Sequence, residues 1–517
     1  MTEASNAGER ARTAAHLARG TGLVIVGAMI ARGFGMFGRV LVAREYTPHE
    51  FGLLTLGLSV VAVGQSVAAF GLTNSVSRFI GRYRGQENRD GLRSVLFAGV
   101  AVAALLGVAV ALLLVAGAGL VAGALSAPDL RPHVRVLALS IPFVAVNTVL
   151  LNSFRGFDRV REFIVFDALF GNLLKFGVIA IAVGAGLPFL WVAAAYTLAA
   201  AGEFVALAAY GWKELAPVLS GGRFRRELAG EMLRFSGTLA SGDIVRMAAA
   251  QGVTLLLGLF LIPAQVGVYG AAVLLVGIVG TLYSCMRYLF LPLSSRLHAS
   301  TSSDELRVLF TSVTRWLTGL SFPLAAVLIV LAGPLLILVF GPEYAYGAIA
   351  LQILAASQFM GVWVGPGGTT LLATGHPRSV LWATVVSNGV ALALIPVLVP
   401  RWGLAGAAAA SAVSTLAANL LVTVSLIRTS GIHAFSPGFL KASACMGLAV
   451  AAVAAGAETW AGLPVLPAAL ALFTAFLMVS FGSIWAFEGI LETDRAVFRI
   501  LHHRAMAALG TTTPTPP

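Results

Sequence analysis

Apolar residues run through this chain in long stretches, with polar residues confined to short intervals between them. Fourteen stretches reach the roughly 20 residues that a helix needs to cross a hydrocarbon layer about 30 Å thick, at about 1.5 Å per residue. They lie near 20–43, 51–77, 94–122, 134–154, 164–185, 189–210, 235–258, 266–290, 316–340, 347–372, 380–399, 403–427, 441–462 and 465–487. None shows the two-residue alternation of a strand, and each is too long for a barrel strand. The pattern predicts an all-α polytopic membrane protein with about 14 transmembrane helices.

A weak internal repeat with an offset near 215 divides these spans. Thr47-Pro48-His49-Glu50-Phe51-Gly52 aligns with Ile262-Pro263-Ala264-Gln265-Val266-Gly267, each between a first and a second span. Leu92-Arg93 after Asp90 matches Leu306-Arg307 after Asp304; Asn172 matches Asn388, and Gly186-Leu187 matches Gly403-Leu404. The expected organisation is a cytoplasmic tail (1–19), an N-terminal six-helix bundle (20–210), a cytoplasmic linker (211–234) and a C-terminal six-helix bundle (235–427). Two extra transmembrane helices (441–487) follow, then an amphipathic helix and a disordered tail (488–517). Both halves start on the same side, so they are expected to be related by a pseudo-two-fold along the membrane normal, with a substrate site between them near mid-bilayer.

Composition agrees with lipid as the solvent. Hydrophobic residues are 58% of the 517 and charged residues 11%, against about 45–50% and about 25% in soluble proteins. That excludes a soluble enzyme, whose exterior must be wet. The net charge is +12, and its placement decides its meaning. Of 34 Lys and Arg, 25 fall in the two tails and every second loop, 4 in the intervening loops and 5 within spans. This asymmetry orients the chain with both termini cytoplasmic in the cell membrane; it does not argue for nucleic acid. The first apolar run is too long for a cleaved signal peptide, is interrupted by Arg32 and has no small-residue cleavage site. Cys285 and Cys445 form no disulfide framework, the His residues show no metal-like spacing, and there is no GxxxxGK[ST] phosphate loop. No metal and no cofactor are expected.

The informative charges are those inside the spans, where each costs about 2.5–3.5 kcal/mol unless a partner or a wet cavity receives it. Arg32, Lys175 and Arg246 sit near the midpoints of their spans, and the repeat offset carries Arg32 onto Arg246. Arg39 lies seven residues beyond Arg32 on the same face, and Arg287 lies near the end of the eighth span. These five are the candidate substrate-binding cations. Asp243, three residues before Arg246, is a candidate partner for it; Asp167 and Glu203 are candidate partners for Lys175 or coupling groups. Five basic and three acidic side chains leave the spans with a net charge of +2, which suits an anionic group such as a diphosphate that Arg grips in bidentate fashion. Gly365-Pro366-Gly367-Gly368, with Pro323 and Pro334 in the ninth span, break backbone hydrogen bonding and are candidate hinges. Val497, Ile500 and Leu501 beside Arg495, Arg499 and Arg504 read as an amphipathic helix on an anionic leaflet.

No loop on the outer side exceeds about a dozen residues, and those loops carry only Glu45, Glu50, Asp129 and Glu343 as carboxylates. With no catalytic constellation, a carrier is expected in place of an enzyme. A cation-coupled multidrug exporter would favour acidic groups and finds none in the first span. A membrane glycosyltransferase or ligase would need acidic groups on a larger aqueous loop, and a structural scaffold would not explain the paired Arg residues.

Several segments resemble a known family. The run from Leu41 through Thr47-Pro48-His49-Glu50-Phe51-Gly52 to Leu54, then Gly71-Leu72 to Arg78-Phe79-Ile80, resembles the opening of polysaccharide-type (Wzx) flippases. So do Phe340-Gly341-Pro342-Glu343-Tyr344 and the Ala373-Thr374-Gly375-His376-Pro377-Arg378 turn. The similarity covers about 20–430. Such flippases belong to the multidrug/oligosaccharidyl-lipid/polysaccharide exporter superfamily. The resemblance implies two six-helix bundles, a basic central cavity lined by the helices bearing Arg32 and Arg246, and outward movement of a polyprenyl-diphosphate-linked oligosaccharide by alternating access. It also implies membrane lipids and the enzymes of polysaccharide biosynthesis as partners of a monomeric carrier.

Overall fold

The structure, a computed structural model, describes residues 32–299, 303–456 and 464–489. The expected cytoplasmic tail, the half of the first span that precedes Arg32, the amphipathic helix and the tail to Pro517 lie outside the described residues. Among the described residues every regular element is a helix. Eleven helical segments are long and apolar enough to cross a bilayer, or up to twelve if one bent pair counts as a span. One of them, α16 (Pro377–Ser430), has 54 residues and is interrupted at Gly403 (φ 54°). Its backbone is non-helical at Gly403 and divides there into two consecutive helices, so the eleventh expected span falls before the kink and the twelfth begins at it.

The first helices show how the sequence sets the course of the chain. Helix α1 (residues 32–45) ends before Thr47, whose side chain and Glu50 form a capping box at the start of α2 (Pro48–Ala69), with Pro48 in the first turn. This satisfies amide donors that a helix start leaves unpaired. Two consecutive left-handed residues, Phe70 (φ 45°) and Gly71 (φ 68°), end α2 and turn the chain into α3 (Leu72–Gly85). Leu72, Ser75, Val76, Phe79, Ile80 and Tyr83 form the buried stripe of α3, at the three- and four-residue spacing of one helical face.

Helix α4 (Arg89–Ala124) buries Gly99, Ala103, Gly107 and Ala111, each four residues from the next. Small residues at this spacing let helices approach closely where lipid offers no hydrophobic drive; a Cβ on Gly107 would stand 2.6 Å from the Cα of Pro142. The opposite face exposes Leu105, Leu112, Leu113 and Leu120, the last 81% accessible, as suits contact with lipid tails. Helices α5 (Leu130–Ala138), α6 (Ile141–Gly156) and α7 (Val160–Phe163) lead into a π-helical segment, Ile164–Phe170, then α8 (Gly171–Gly184) and α9 (Leu190–Leu219). After the linker come α10 (Arg226–Phe260), α11 (Pro263–Ala299), α12 (Ser303–Val330), α13 (Ala332–Phe340), a 3-10 turn, α14 (Ala348–Trp363), α15 (Gly367–Ala373), α16, α17 (Pro437–Ala455) and α18 (Val465–Glu488).

The helices form two compact units. The first comprises Met1–Leu274, Leu336–Gly347 and Leu392–Ala407. Within it, residues one repeat apart meet reciprocally: a Cβ on Gly52 would collide with the carbonyl of Pro263, and one on Gly267 with the carbonyl of Pro48. At one end of this unit, ion pairs join Arg82 to Glu231 (2.7 Å), Arg84 to Asp158 (2.7 Å), Arg159 to Glu214 (2.6 Å) and Arg225 to Asp90 (2.8 Å). The linker is held there too. The Arg223 amide donates to Asp90, the Arg225 amide to Ser94, and Arg93 to the Gly222 carbonyl.

The second unit comprises Leu275–Leu335, Ala348–Ala391 and Ala408–Pro517. Its core joins α12 to the last two helices through Phe322, Ala326, Met446, Leu472 and Phe476. Arg315, 3% exposed, faces Glu488 at 3.8 Å and donates to the Gly489 carbonyl at 2.9 Å. A buried ionic contact thus anchors the end of α18 on α12.

Candidate functional site

Four of the eight ionisable candidates come together in the first unit, around the π-helical segment. There, the backbone closes with i→i−5 contacts: the Gly171 amide donates to the Phe166 carbonyl, and the Asn172 side chain to the Asp167 carbonyl at 2.9 Å. Such a turn accommodates about one extra residue and rotates whatever follows it. Lys175, on α8, has Asp167, Glu203 and Arg39 as electrostatic neighbours, and its Nζ lies 5.7 Å from the ring centroid of Tyr196. Arg39 in turn is an electrostatic neighbour of Tyr196.

Glu203, on α9, closes the cluster from the other side. Its carboxylate packs on Gly171, where a Cβ would be 2.9 Å from it. The Asn147 side chain neighbours Glu203 and donates to the Ala200 carbonyl at 3.1 Å. Two cations, two carboxylates, a phenol and an amide therefore share one neighbourhood. Asp167 and Glu203 are the carboxylates beside Lys175, and Arg39 is a second cation next to it.

Arg32 differs. It is exposed, and among the described residues it makes no ion pair and no side-chain hydrogen bond. The contact of Phe34 with Phe176 (5.8 Å between ring centroids) holds its helix against α8. Arg246, on α10, pairs with Asp243 at 3.2 Å yet leaves 70% of its side chain accessible, against 26% for Asp243. Just beyond it α10 bends by 42° between Ala248 and Ala250. Arg287 belongs to the second unit, on α11, where it is exposed near Tyr283.

The candidate hinges divide. Gly365 has φ +83°, and the helix stops before Pro366 and restarts at Gly367 as α15; a Cβ on Gly365 would collide with Thr314. Pro323 lies inside α12, which continues through it. The interruption in the ninth span comes at Leu331, before α13, which contains Pro334.

Reading the sequence missed Tyr196, Asn147 and the π-helical segment, none of which has a charge or a motif to mark it. It also counted Arg78 and Arg82 only as orienting charges. Both line a cavity of about 170 Å³ with Phe79, Glu231 and Phe235.

Comparison with known proteins places this arrangement. The fold is similar to the solved structure titled Lipid II flippase MurJ, inward closed conformation (TM-score 0.69, 12% identity, covering 92% of this chain and 99% of that one). It is also similar to a multidrug resistance MATE family transporter of the MOP superfamily in an inward-facing conformation (TM-score 0.65, 14% identity, 79% and 99%). In sequence, the lipopolysaccharide biosynthesis protein WzxC of Escherichia coli (strain K12) is 29% identical over 115 residues. That segment spans only 22% of this chain and 22% of that relative. The family described as polysaccharide biosynthesis protein matches residues 17–298, more than half of the chain. By that match, and with the multi-pass helical fold to accompany it, the chain belongs to the polysaccharide biosynthesis protein family.

Proposed function

We propose that this protein is a flippase that carries a polyprenyl-diphosphate-linked oligosaccharide from the cytoplasmic to the outer leaflet of the cell membrane, in surface polysaccharide biosynthesis. The observation that carries the reading is Arg32, a cation expected at mid-span with no ionic partner among the described residues. A guanidinium in that position is costly unless something negative visits it. Arg246 is the second gripping group, largely accessible despite its contact with Asp243. Two such side chains hold a diphosphate while the sugars occupy water and the lipid tail stays in the bilayer. This removes the cost of drawing sugar hydroxyls through hydrocarbon, which keeps such lipids from crossing unaided.

The assignment of two duplicated bundles is part of the proposal. Its support is the reciprocal approach of Gly52 and Gly267 and the positive φ at both of the paired positions Gly186 and Gly403. The backbone break at Gly365–Pro366 and the bend in α10 are the proposed sites of flexion during alternating access. Lys175 acts in this scheme through its carboxylate neighbours Asp167 and Glu203, with Arg39 beside it.

The test is transport of a lipid-linked oligosaccharide into the outer leaflet of reconstituted vesicles. Arg32→Ala is expected to lower the rate at least tenfold, about 1.4 kcal/mol, with normal insertion and melting temperature. Arg32→Lys, which keeps the charge but not the bidentate fork, should fall between. Unchanged transport by Arg32→Ala overturns the reading. The cation-coupled exporter of the same fold draws on one observation, the Asp167 and Glu203 carboxylates beside Lys175. It is favoured instead if organic cations, and no lipid-linked sugar, are moved.

A further inference from the structure

The cavity lined by Arg78, Phe79, Arg82, Glu231 and Phe235 lies apart from the mid-span charges. Helices α2 and α3 together form a candidate span of 38 residues, Pro48–Gly85. About 20 residues suffice to cross the hydrocarbon, so the last turns of α3 extend into the headgroup layer. The first turns of α10, with Glu231 and Phe235, pack beside them.

The chemistry of this cavity is unbalanced. Arg78 and Arg82 stand one helical turn apart, a spacing at which like charges repel, and the one carboxylate in the lining, Glu231, pairs with Arg82 alone. Glu231 is committed: one oxygen accepts from Arg82 at 2.7 Å, the other from the Tyr83 hydroxyl at 3.2 Å. Arg78 has no ion pair among the described residues. Its guanidinium lies 4.4 Å from the centroid of the Phe235 ring, and Phe79 packs edge-on against that ring at 5.8 Å. A stacked guanidinium keeps its edge donors free. The lining thus offers a fixed, planar set of donors beside an apolar wall, at the depth of lipid phosphates.

We propose that this cavity is a docking subsite for the phosphate group of a lipid headgroup. The shared chemistry is a phosphate oxyanion on a hydrophobic anchor, supplied either by an anionic phospholipid or by a polyprenyl diphosphate. The subsite requires only that the protein lie in a membrane, so it does not depend on the flippase reading.

Native mass spectrometry of the purified protein, titrated separately with phosphatidylglycerol and with polyprenyl diphosphate, tests it. The diphosphate arm is run in the Arg32→Ala background, so that binding at mid-span does not mask the effect. Arg78→Gln should weaken binding in one or both arms about tenfold, as expected for loss of a charge-assisted hydrogen bond. Arg84→Gln, whose guanidinium is paired with Asp158 and does not line the cavity, should change neither. Loss only with phosphatidylglycerol identifies a membrane phospholipid as the occupant; loss with polyprenyl diphosphate identifies the lipid carrier; both support the subsite. Phe235→Leu, which removes the platform under Arg78, gives the same reading should Arg78→Gln fail to fold. Unchanged affinity in both arms, with an unchanged melting temperature, overturns the proposal. Binding is the readout throughout, so this result and the transport result for Arg32 stand or fall separately.

Discussion

Lys175 carries its charge beside Asp167 and Glu203, whereas Arg32 has no such company among the described residues. The difference separates a cation held for structure from one left available. If Lys175 is satisfied chiefly by Glu203, the two should be coupled: Lys175→Met and Glu203→Gln together should cost less than the sum of the single changes. A double-mutant cycle on melting in detergent is expected to give an interaction energy of about 0.5–3 kcal/mol, and additive effects would separate them. The residue types were legible in the sequence, because a charge inside an apolar run is conspicuous. The company each keeps was not. Asp167 and Lys175 are eight residues apart, which in a regular helix places them about 80° around the axis. The wide turn at Ile164–Phe170 takes up about one residue and brings them closer to one stripe, and no residue pattern announced it.

At the scale of elements, the breaks matter more than the helices. Gly71 holds φ +68° where the Ser236 carbonyl and the Ala240 amide leave no room for a side chain, and the Ser75 and Ser236 hydroxyls meet beside it at 2.5 Å. Gly71→Val should therefore cost more than about 2 kcal/mol, from backbone strain and collision together. Ser75→Ala should cost about 1 kcal/mol, and thermal melts of the two variants check the order. The docking of the last helix gives a second test. Arg315→Met leaves Glu488 buried without its cation and is expected to cost about 3–5 kcal/mol, read as a lower melting temperature. Helix existence followed from apolar run length, the strongest signal in the chain. Break positions followed less well: Pro323 is a breaker by type, yet α12 runs through it, as membrane helices allow when neighbouring groups satisfy the freed carbonyl. Gly365 and Gly403 broke where glycine permitted a positive φ.

Across the whole molecule, charge placement makes a prediction about sidedness. With Cys285 and Cys445 replaced, a cysteine introduced at Gly221 in the Arg-rich linker should react with a membrane-impermeant maleimide only after cells are opened. One at Pro128 should react in intact cells, and the reverse result would invert the topology. The sequence aligned Pro48 and Gly52 with Pro263 and Gly267, but their meeting was not legible, because a repeat in sequence says nothing of where its copies touch. That meeting has a genetic consequence. The two glycines approach through main chain, so a bulky side chain at either one faces atoms that every amino acid possesses. Exchanging the opposite residue cannot make room, and revertants of a Gly52 lesion should arise by restoring glycine or by displacing a helix from afar, never by a matching change at Gly267.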